Sequence, residues 1–511
     1  MNDLHLLPKQ LRVRWERPRL VYLLLSMTFI IVNLLTLSHL APWIDEVMFL
    51  DTSYNAAVHG TWETTAWYRV AGQSPFSTYP PFYQLVAAAW IWLFGGSLVA
   101  VRSLNLLVVF VLGSVCLRLM RRHRQRLTVS TVLLFTVLLW GTSEMAWMYR
   151  NGRPDMLCAL LFVVVVFAID SYLSADTRAT RTAVVVASAL LLCSGIQAAV
   201  CLCILWLFLF VAMKDRRRES VRLLWLLLAG LFLGLLLVSL FMLAHGRLLA
   251  FVSSIVQYSS TLSCIAIAVL PWVGEALGFD ATAYTLKLQE LTVDTTLGER
   301  LSAIVDYRSF WVLLAASLPA YFICFRRHPR RLLREPGFLS LLFALFVPVM
   351  MCLAGRFVDY YRWMVYLPLL FAVVSIAGRS RWCLGMLSFV AVALTIGGIR
   401  SMCAADDWHY DNLRSFVRRQ HLCPTDAVVC PFSVFYEIKP VCGTCYFAGI
   451  YPLAFMGDVD YVIEAPGDRG FDRRITDYVD RLRSDTTVTL SVIDHCERPS
   501  LILYQIQKIH E

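Results

Sequence analysis

Apolar stretches about as long as a lipid bilayer is thick recur along most of this chain. A helix that crosses a membrane needs roughly 20 mostly apolar residues, and the sequence supplies about 11 such stretches. We predict spans at residues 19–39, 98–117, 127–147, 156–173, 183–199, 200–213, 221–243, 308–325, 337–354, 363–378 and 382–399. The chain is 58% hydrophobic and only 16% charged, whereas a soluble domain is about one quarter charged. The pattern predicts a mainly α-helical, polytopic membrane protein.

Short sequence motifs indicate where one long apolar stretch divides and whether the first span is retained. Residues 183–213 form one continuous apolar stretch, which we divide into two spans at SGIQ, Ser194–Gln197. The first apolar run, Leu20–Leu37, is not followed by a small-residue cleavage site. We therefore expect it to be retained as a span and not removed as a signal peptide.

Basic residues indicate the orientation, because Lys and Arg collect in the cytoplasmic loops of membrane proteins. Five basic clusters fall on one side if the amino terminus is cytoplasmic: Lys9–Arg19, Arg118–Arg126, Lys214–Arg218, Arg326–Arg334 and Gly378–Arg381. The net charge of +10 is explained by these clusters, so we expect no nucleic-acid partner. The compact loops favour a plasma (inner) membrane over an endoplasmic reticulum.

The opposite, extracytoplasmic side then receives the larger loops, which are residues 40–97, 148–155, about 244–307, 355–362 and those after about 400. In the first of these loops, Phe82–Gly96 is apolar but short for a span. If it crossed, the basic cluster at 118–126 would be moved outside. We predict an interfacial helix there, and a similar one near the start of the 244–307 loop.

The composition changes near Ser401, where the chain becomes charged and rich in cysteine. DAVVCPF, VDYVIEA and VTLSVI have the pattern of strands, and DDWHYDNLRSFVRRQ and FDRRITDYVDRLRS that of helices. We predict a membrane module over residues 1–400 and a small extracytoplasmic α/β domain over 401–511.

Six of the fifteen cysteines lie in this domain: Cys403, Cys423, Cys430, Cys442, Cys445 and Cys496. Cysteine enrichment outside the cytoplasm favours disulfides, but the sequence does not choose among the possible pairings. CGTC, Cys442–Cys445, has the spacing of a redox or zinc motif. Without a second pair at zinc-finger spacing, a structural disulfide or inert thiols is the better interpretation.

Acidic residues stand where the chain leaves the membrane on the predicted outer side. Asp45 and Glu46 follow the first span, and Asp155 begins a later one. A helix start would explain one acid at each place, because carboxylates stabilise helix amino termini. A general base just above the bilayer is the functional alternative, since it would activate a hydroxyl for attack on a lipid-linked donor.

Arginines on the same predicted side could bind a phosphate if they converge. The candidates are Arg102, Arg153, Arg247 and Arg362. Taken singly, each could instead be an anchor whose long side chain reaches the interface. The segment GRFVDYYRWMVYLPLL, Gly355–Leu370, adds Tyr361 beside Arg362.

In combination these motifs resemble the GT-C membrane glycosyltransferases, in the branch of protein O-mannosyltransferase-like and aminoarabinose-transferase-like enzymes. The matching features are the DE pair, YPPFYQLVAAAWIWLFGGSLVAVRSLN, RPDMLCALLF and YYRWMVYLPLL, followed by a small outer domain. The resemblance covers most of the chain in organisation. It implies an inverting transferase that moves a sugar from a polyprenyl-phosphate carrier to an acceptor hydroxyl or phosphate.

The resemblance also implies roles for single residues. Asp45 would be the base or the acceptor-orienting carboxylate, Glu46 its partner, and Asp155 the acid of the second outer loop. Tyr361 or Arg362 would hold the donor phosphate, and Arg102 matches the arginine that follows the interfacial helix. The phosphate-binding set is completed by Arg153 and Arg247.

The sequence departs from this family before its Pro-Pro pair, where relatives commonly carry a charged residue or histidine. Here the residues are STYPP, with Thr78 and Tyr79. Because a glutamate at this place is linked to metal in the aminoarabinose branch, we expect no metal and no other cofactor. The acceptor, whether lipid, glycan or protein, stays open.

Two other functions fit part of the pattern. A transporter or flippase of lipid-linked sugars would also need charges on the outer face and an apolar groove. Transporters often have internal repeats, which we do not see in this sequence. A non-catalytic scaffold would explain the outer domain but would leave the acids and arginines as coincidence.

Overall fold

Helices occupy all the segments that hydropathy assigns to the membrane. The structure, a computed structural model, describes residues 9–42, 44–64, 79–123, 127–213, 216–257, 298, 302, 304–327, 335–353, 361–404, 408–442, 444–447, 459–466 and 473–508. The helices of the first 404 residues are α1 (Lys9–Thr36), α2 (Ile44–His59), α3 (Phe82–Phe94), α4 (Leu98–Arg122), α5 (Val129–Gly141), α6 (Ser143–Tyr149), α7 (Asp155–Ser174), α8 (Arg178–Ser194), α9 (Gln197–Ala212), α10 (Arg217–Ala244), α11 (Leu248–Gln257), α12 (Arg308–Arg327), α13 (Pro336–Leu353), α14 (Arg362–Ala377) and α15 (Arg381–Cys403).

Six of the described helices, α1, α4, α7, α10, α12 and α15, are long and apolar enough to cross a membrane. The consecutive helices α5 and α6 add a seventh if their 60° bend lies within one span. The chain is thus a polytopic membrane protein. The lengths and compositions of its described helices do not confirm the predicted count of about 11 crossings. The predicted division at Ser194–Gln197 is confirmed, because α8 ends and α9 begins there.

Large apolar side chains lie both on the helix faces buried inside the bundle and on the faces that point outward. Trp140, Phe162 and Trp363 are buried between helices α5, α7 and α14. On the outward faces of α15, by contrast, Trp382 is 87% and Phe389 is 77% exposed. Large exposed apolar side chains suit contact with acyl chains, which solvate them as water would not.

Helices α5 and α15 approach each other more closely than side chains would allow. A Cβ atom on Gly398 of α15 would lie 2.0 Å from the carbonyl oxygen of Gly141, the last residue of α5. Only glycine fits at such a contact. The backbone breaks at the next residue, Thr142, where the 60° bend begins.

The end of the chain forms a small α/β unit. Its elements are α16 (Tyr410–Arg419), β1 (Ala427–Cys430), α17 (Phe435–Ile438), β2 (Thr444–Phe447), β3 (Tyr461–Glu464), α18 (Arg473–Ser484), β4 (Val488–Glu497) and β5 (Ser500–Lys508). The strands make one sheet in the order β2-β1-β3-β5-β4. Strand β1 pairs in parallel with β2 and β3, whereas β5 pairs antiparallel with β3 and β4.

Each face of this sheet has its own core. Val429 and Val462 pack with Ile475 and Val479 of α18. On the other face, Val428 and Ile463 belong to the large cluster that includes the membrane helices. The C-terminal unit is therefore docked on the bundle, although the predicted domain boundary at residue 401 stays a prediction.

The cysteines of this unit are free thiols in the described part of the chain. Cys430, Cys442 and Cys445 are buried together with the apolar core. Burial raises the pKa of the Cys430 thiol well above its ordinary value. In CGTC, Cys442 and Cys445 are free thiols and do not form the structural disulfide that was one of the two interpretations.

Candidate active site

The first turn of α2 sends its two carboxylates in different directions. Asp45 and Glu46 are neighbours in the sequence, and neighbours on a helix point roughly 100° apart. Both lie in the first turn, where the helix dipole favours negative charge. Their surroundings differ, because the Glu46 side chain is fully buried and that of Asp45 is 24% exposed.

Glu46 forms a bidentate ion pair with Arg102 of α4. The Nε and Nη2 atoms of Arg102 lie 2.7 and 2.6 Å from the two carboxylate oxygens, and neither side chain is exposed. The backbone N–H of Gly152 also donates to Glu46, at 3.1 Å. This pair joins α2, α4 and the loop after α6.

Arg102 uses its remaining donors on the backbone that precedes α2. They reach the carbonyl oxygens of Leu37, Leu40 and Ala41 at 2.8, 2.7 and 3.3 Å. A guanidinium has five N–H groups, and all five have acceptors here. The sequence placed Arg102 among the phosphate ligands, but the geometry leaves it no donor for a phosphate oxygen.

Asp45 and Asp155 meet at a single cation. Arg153 donates from Nη1 to Asp45 and from Nε to Asp155, the latter at 2.8 Å. The Arg153 and Asp155 side chains are almost fully buried, being 3% and 2% exposed. Two acids separated by more than a hundred residues of sequence thus pair with the same guanidinium. That they form a catalytic site stays a prediction.

Aromatic rings enclose this cluster on its other sides. The Arg153 guanidinium lies 5.2 Å from the centre of the Phe49 ring, and Tyr79 packs edge-on against Phe49 at 5.0 Å. The Tyr79 hydroxyl accepts a hydrogen bond from Gln197. Burial, with smaller contributions from Cys158, Asp155 and Tyr361, raises the pKa of Tyr79 well above its ordinary value, so it stays a neutral phenol.

The second oxygen of Asp155, Oδ1, is buried and accepts no hydrogen bond from another described residue. Buried carboxylate oxygens nearly always have a partner. An acceptor without one, next to a buried cation, marks a place where a polar ligand group would be stabilised.

Tyr361 and Arg362, which begin α14, adjoin the same region. Tyr361 is buried, and it is close enough to Tyr79 to contribute to the raised pKa of that residue. The Arg362 guanidinium lies between two rings, 5.2 Å from that of Trp147 on α6 and 4.8 Å from that of Tyr307. Attraction between a cation and the faces of aromatic rings helps to hold this guanidinium in position.

Arg247 is the one predicted residue that the described contacts do not bring to this cluster. It lies half-buried between α10 and α11, and its backbone N–H donates to Met242 at 2.7 Å. Gly355, Arg356, Asp359 and Tyr360, like Thr78, lie outside the described residues.

Sequence reasoning missed the residues that hold the loop between α6 and α7. Arg150 donates to Asn33 and Thr36 of α1 and to the Met402 carbonyl of α15. The amide of Asn105 on α4 donates to the carbonyl oxygen of Arg153 at 3.0 Å. For Asn105, a polar amide within the predicted span 98–117 was the signal available. Arg150 stands in the predicted outer loop 148–155, where an arginine is also an ordinary anchor.

An apolar cavity of about 160 Å³ extends into the bundle from the start of α14. Its lining includes Phe162, Phe343, Trp363, Met364, Leu367 and Phe371. From Trp363, which directly follows Arg362, the lining continues to Met120 and His123 at the end of α4 and to Pro336 at the start of α13. The cavity therefore lies among the membrane helices, and none of the charged residues of the cluster lines it.

Within the described residues, no group of three or more His, Cys, Asp or Glu side chains is arranged to hold a metal ion. The sequence-based expectation of a site without metal stays a prediction, because the residue before Tyr79 is not described.

No protein-family model and no curated protein matches this sequence, but solved structures resemble its fold. The structure of ArnT from Cupriavidus metallidurans bound to undecaprenyl phosphate superposes with a TM-score of 0.62, covering 95% of this chain and 97% of that one at 11% identity. The apo state of the same ArnT gives a TM-score of 0.61. This chain has the GT-C fold. An oligosaccharyltransferase from Archaeoglobus fulgidus, in complex with Zn and sulfate, matches the GT-C module less fully: the TM-score is 0.50 at 13% identity, over 87% of this chain and 67% of that one.

Asp45, Asp155 and Arg362 come from separate parts of the chain, and each lies in the first turn of a helix. The predicted family resemblance is thus confirmed at the level of the fold.

Proposed function

We propose that this GT-C protein is an inverting glycosyltransferase that moves a sugar from a polyprenyl-phosphate carrier to an acceptor hydroxyl or phosphate. The observation that carries the proposal is the bridge from Asp45 through Arg153 to Asp155. It combines a partly exposed carboxylate, a buried cation and a second, buried acid. Support comes also from the similarity in fold to an ArnT that binds undecaprenyl phosphate.

In this proposal Asp45 is the general base. It is the more exposed of the two acids on Arg153, so an acceptor hydroxyl can reach it. Such a hydroxyl is a poor nucleophile near neutral pH, and a positioned carboxylate that takes its proton contributes about 10²–10⁴-fold to the rate. A single displacement by this hydroxyl at the anomeric carbon inverts its configuration.

Arg153 and Arg362 then stabilise the departing phosphate. Negative charge grows on the phosphate as the glycosidic bond breaks, and a fixed guanidinium stabilises that charge without reorganising. When a donor phosphate contacts Arg153, the guanidinium divides its positive charge between the phosphate and Asp45. The Asp45 carboxylate is then less stabilised by Arg153 and becomes a better base. Asp155 keeps Arg153 in place through Nε during this exchange.

The polyprenyl chain would lie among the membrane helices. The aromatic and aliphatic side chains near Trp363 suit isoprene units, and the remaining units would lie in the lipid outside the bundle. Tyr361, next to the start of α14, would contact the phosphate. Glu46 and Arg102 hold the loops around the site and touch no substrate in this scheme.

We place the reaction at the outer face of a plasma membrane, with a cytoplasmic amino terminus and an extracytoplasmic C-terminal unit. The acceptor is a lipid, a glycan or a protein. No metal or other cofactor takes part in the proposed steps.

Mass spectrometry of lipids and glycans from cells with and without the gene would find the sugar and its acceptor. Purified protein would then be assayed with synthetic polyprenyl-phosphate hexoses and pentoses. Asp45→Asn should abolish transfer, while the matched control Asp170→Asn, an acid at the far end of α7, should not.

Near-normal turnover by the Asp45→Asn protein would remove Asp45 as the base. If the wild-type protein moved the intact donor between leaflets of a vesicle, and formed no new glycosidic bond, the alternative function of a flippase would replace the proposal.

A further inference from the structure

An ion pair joins the C-terminal unit to the helix that carries Asp45. The Nζ atom of Lys439 lies 3.2 Å from Oδ1 of Asp51 on α2. The Asp51 side chain is fully buried and that of Lys439 only 10% exposed. Neither residue belongs to the proposed chemistry, and a charge pair removed this far from water needs an explanation.

The environment of Asp51 is built from two parts of the chain. Its other oxygen, Oδ2, accepts a hydrogen bond from Thr64 at 3.0 Å, beyond the end of α2. Lys439 directly follows α17, where the Phe435 ring packs edge-on against Tyr54 of α2 at 6.5 Å. Polar and apolar contacts thus bring the C-terminal unit to the same face of this helix.

The position of Asp51 connects this contact to the candidate site. Asp51 lies six residues after Asp45 on one uninterrupted helix, which corresponds to a rise of roughly 9 Å. The Glu46–Arg102 pair fixes the first turn of α2 against the bundle. The Lys439–Asp51 pair fixes a later turn from the other side, so together they define the rotation and tilt of the helix.

We propose that Asp51 and Lys439 are positioning residues, through which the C-terminal unit sets the placement of α2 and hence of the Asp45 carboxylate. The proposal rests on the proposed function, because Asp45 must act on substrate for its placement to matter. In this view the C-terminal unit contributes to catalysis by positioning α2.

The test compares a neutral pair with single substitutions in the full-length protein. Asp51→Asn combined with Lys439→Met removes the attraction but leaves no buried charge unpaired, so the protein should fold as the wild type does. We expect kcat to fall at least tenfold with the donor KM unchanged, because displacing a catalytic group by about 1 Å can cost 10²-fold. Lys439→Arg keeps the pair and should retain most of the kcat.

A matched control is the exposed pair between Arg181 and Asp176, whose side chains are 51% and 37% exposed. Arg181→Met combined with Asp176→Asn removes an ion pair of the same type at the surface and should change neither kcat nor KM. A wild-type kcat in the Asp51→Asn, Lys439→Met protein, measured beside this control, would overturn the proposal.

Hydrogen–deuterium exchange separates this proposal from the proposed function. Amides of residues 44–59 should exchange faster in the neutral pair than in the wild type, whether or not transfer is observed. If the wild-type protein transfers no sugar, the proposed function fails, and the exchange result still decides whether Lys439 holds α2. Unchanged exchange in α2 would refute the connection itself.

Discussion

Replacing Arg102 by methionine should lower the free energy of unfolding of this protein and leave its affinity for the donor unchanged. The change leaves the Glu46 carboxylate buried with only the Gly152 N–H as a donor, and it removes the hydrogen bonds to three backbone carbonyls. Removing one partner of a buried ion pair typically costs about 3–5 kcal/mol. Native proteins are stable by only about 5–15 kcal/mol, so the loss is a large share of the total.

Thermal unfolding of the purified protein in detergent, followed by size-exclusion chromatography, measures this effect. The control is Arg122→Met, because Arg122 pairs with Asp170 at 3.3 Å while 43% exposed, and a pair of that kind contributes about 0–1 kcal/mol. Glu46→Met combined with Arg102→Met should recover part of the loss, since no charge then stays unpaired. If Arg102→Met melts like the wild type but has a weaker donor KM, the residue is a phosphate ligand after all and the structural reasoning is wrong.

Two further substitutions follow from the site. Arg362→Ala should raise the donor KM at least tenfold with little change in melting temperature, because we propose that this guanidinium, held beside the Trp147 and Tyr307 rings, binds the donor phosphate. An unchanged donor KM would make it an anchor only. Gly152→Ala should lower stability by about 1–3 kcal/mol through overpacking, since its Cβ would lie 2.3 Å from Leu50 and 3.0 Å from Glu46; a wild-type melting curve would show that Leu50 can move aside.

Hydropathy could predict the helical segments, because each membrane helix needs a long apolar stretch. That Asp45 and Asp155 lie close together was suggested by their position at helix starts next to apolar segments. The break between α8 and α9 could be placed at SGIQ because Gly and polar residues interrupt an otherwise uniform apolar stretch. The span count could not be settled, because α9 and α14, at 16 residues each, are short for a crossing.

The partners of the arginines could not be predicted in the same way. Arg102 and Arg153 look alike in the sequence, each an arginine near a span start on the same side. Which carboxylate each one meets depends on how α2 is rotated against α4, and no local pattern encodes that rotation. The same reason hides Lys439, whose partner Asp51 lies almost four hundred residues earlier.

The glycine contact between α5 and α15 limits how the C-terminal unit can move. With Gly398 against the Gly141 carbonyl, α15 has no freedom to slide, and Arg150 secures its last turn through Met402. Any difference in the placement of the C-terminal unit relative to the bundle would therefore have to arise beyond α15. The Lys439–Asp51 ion pair would pass such a displacement to α2.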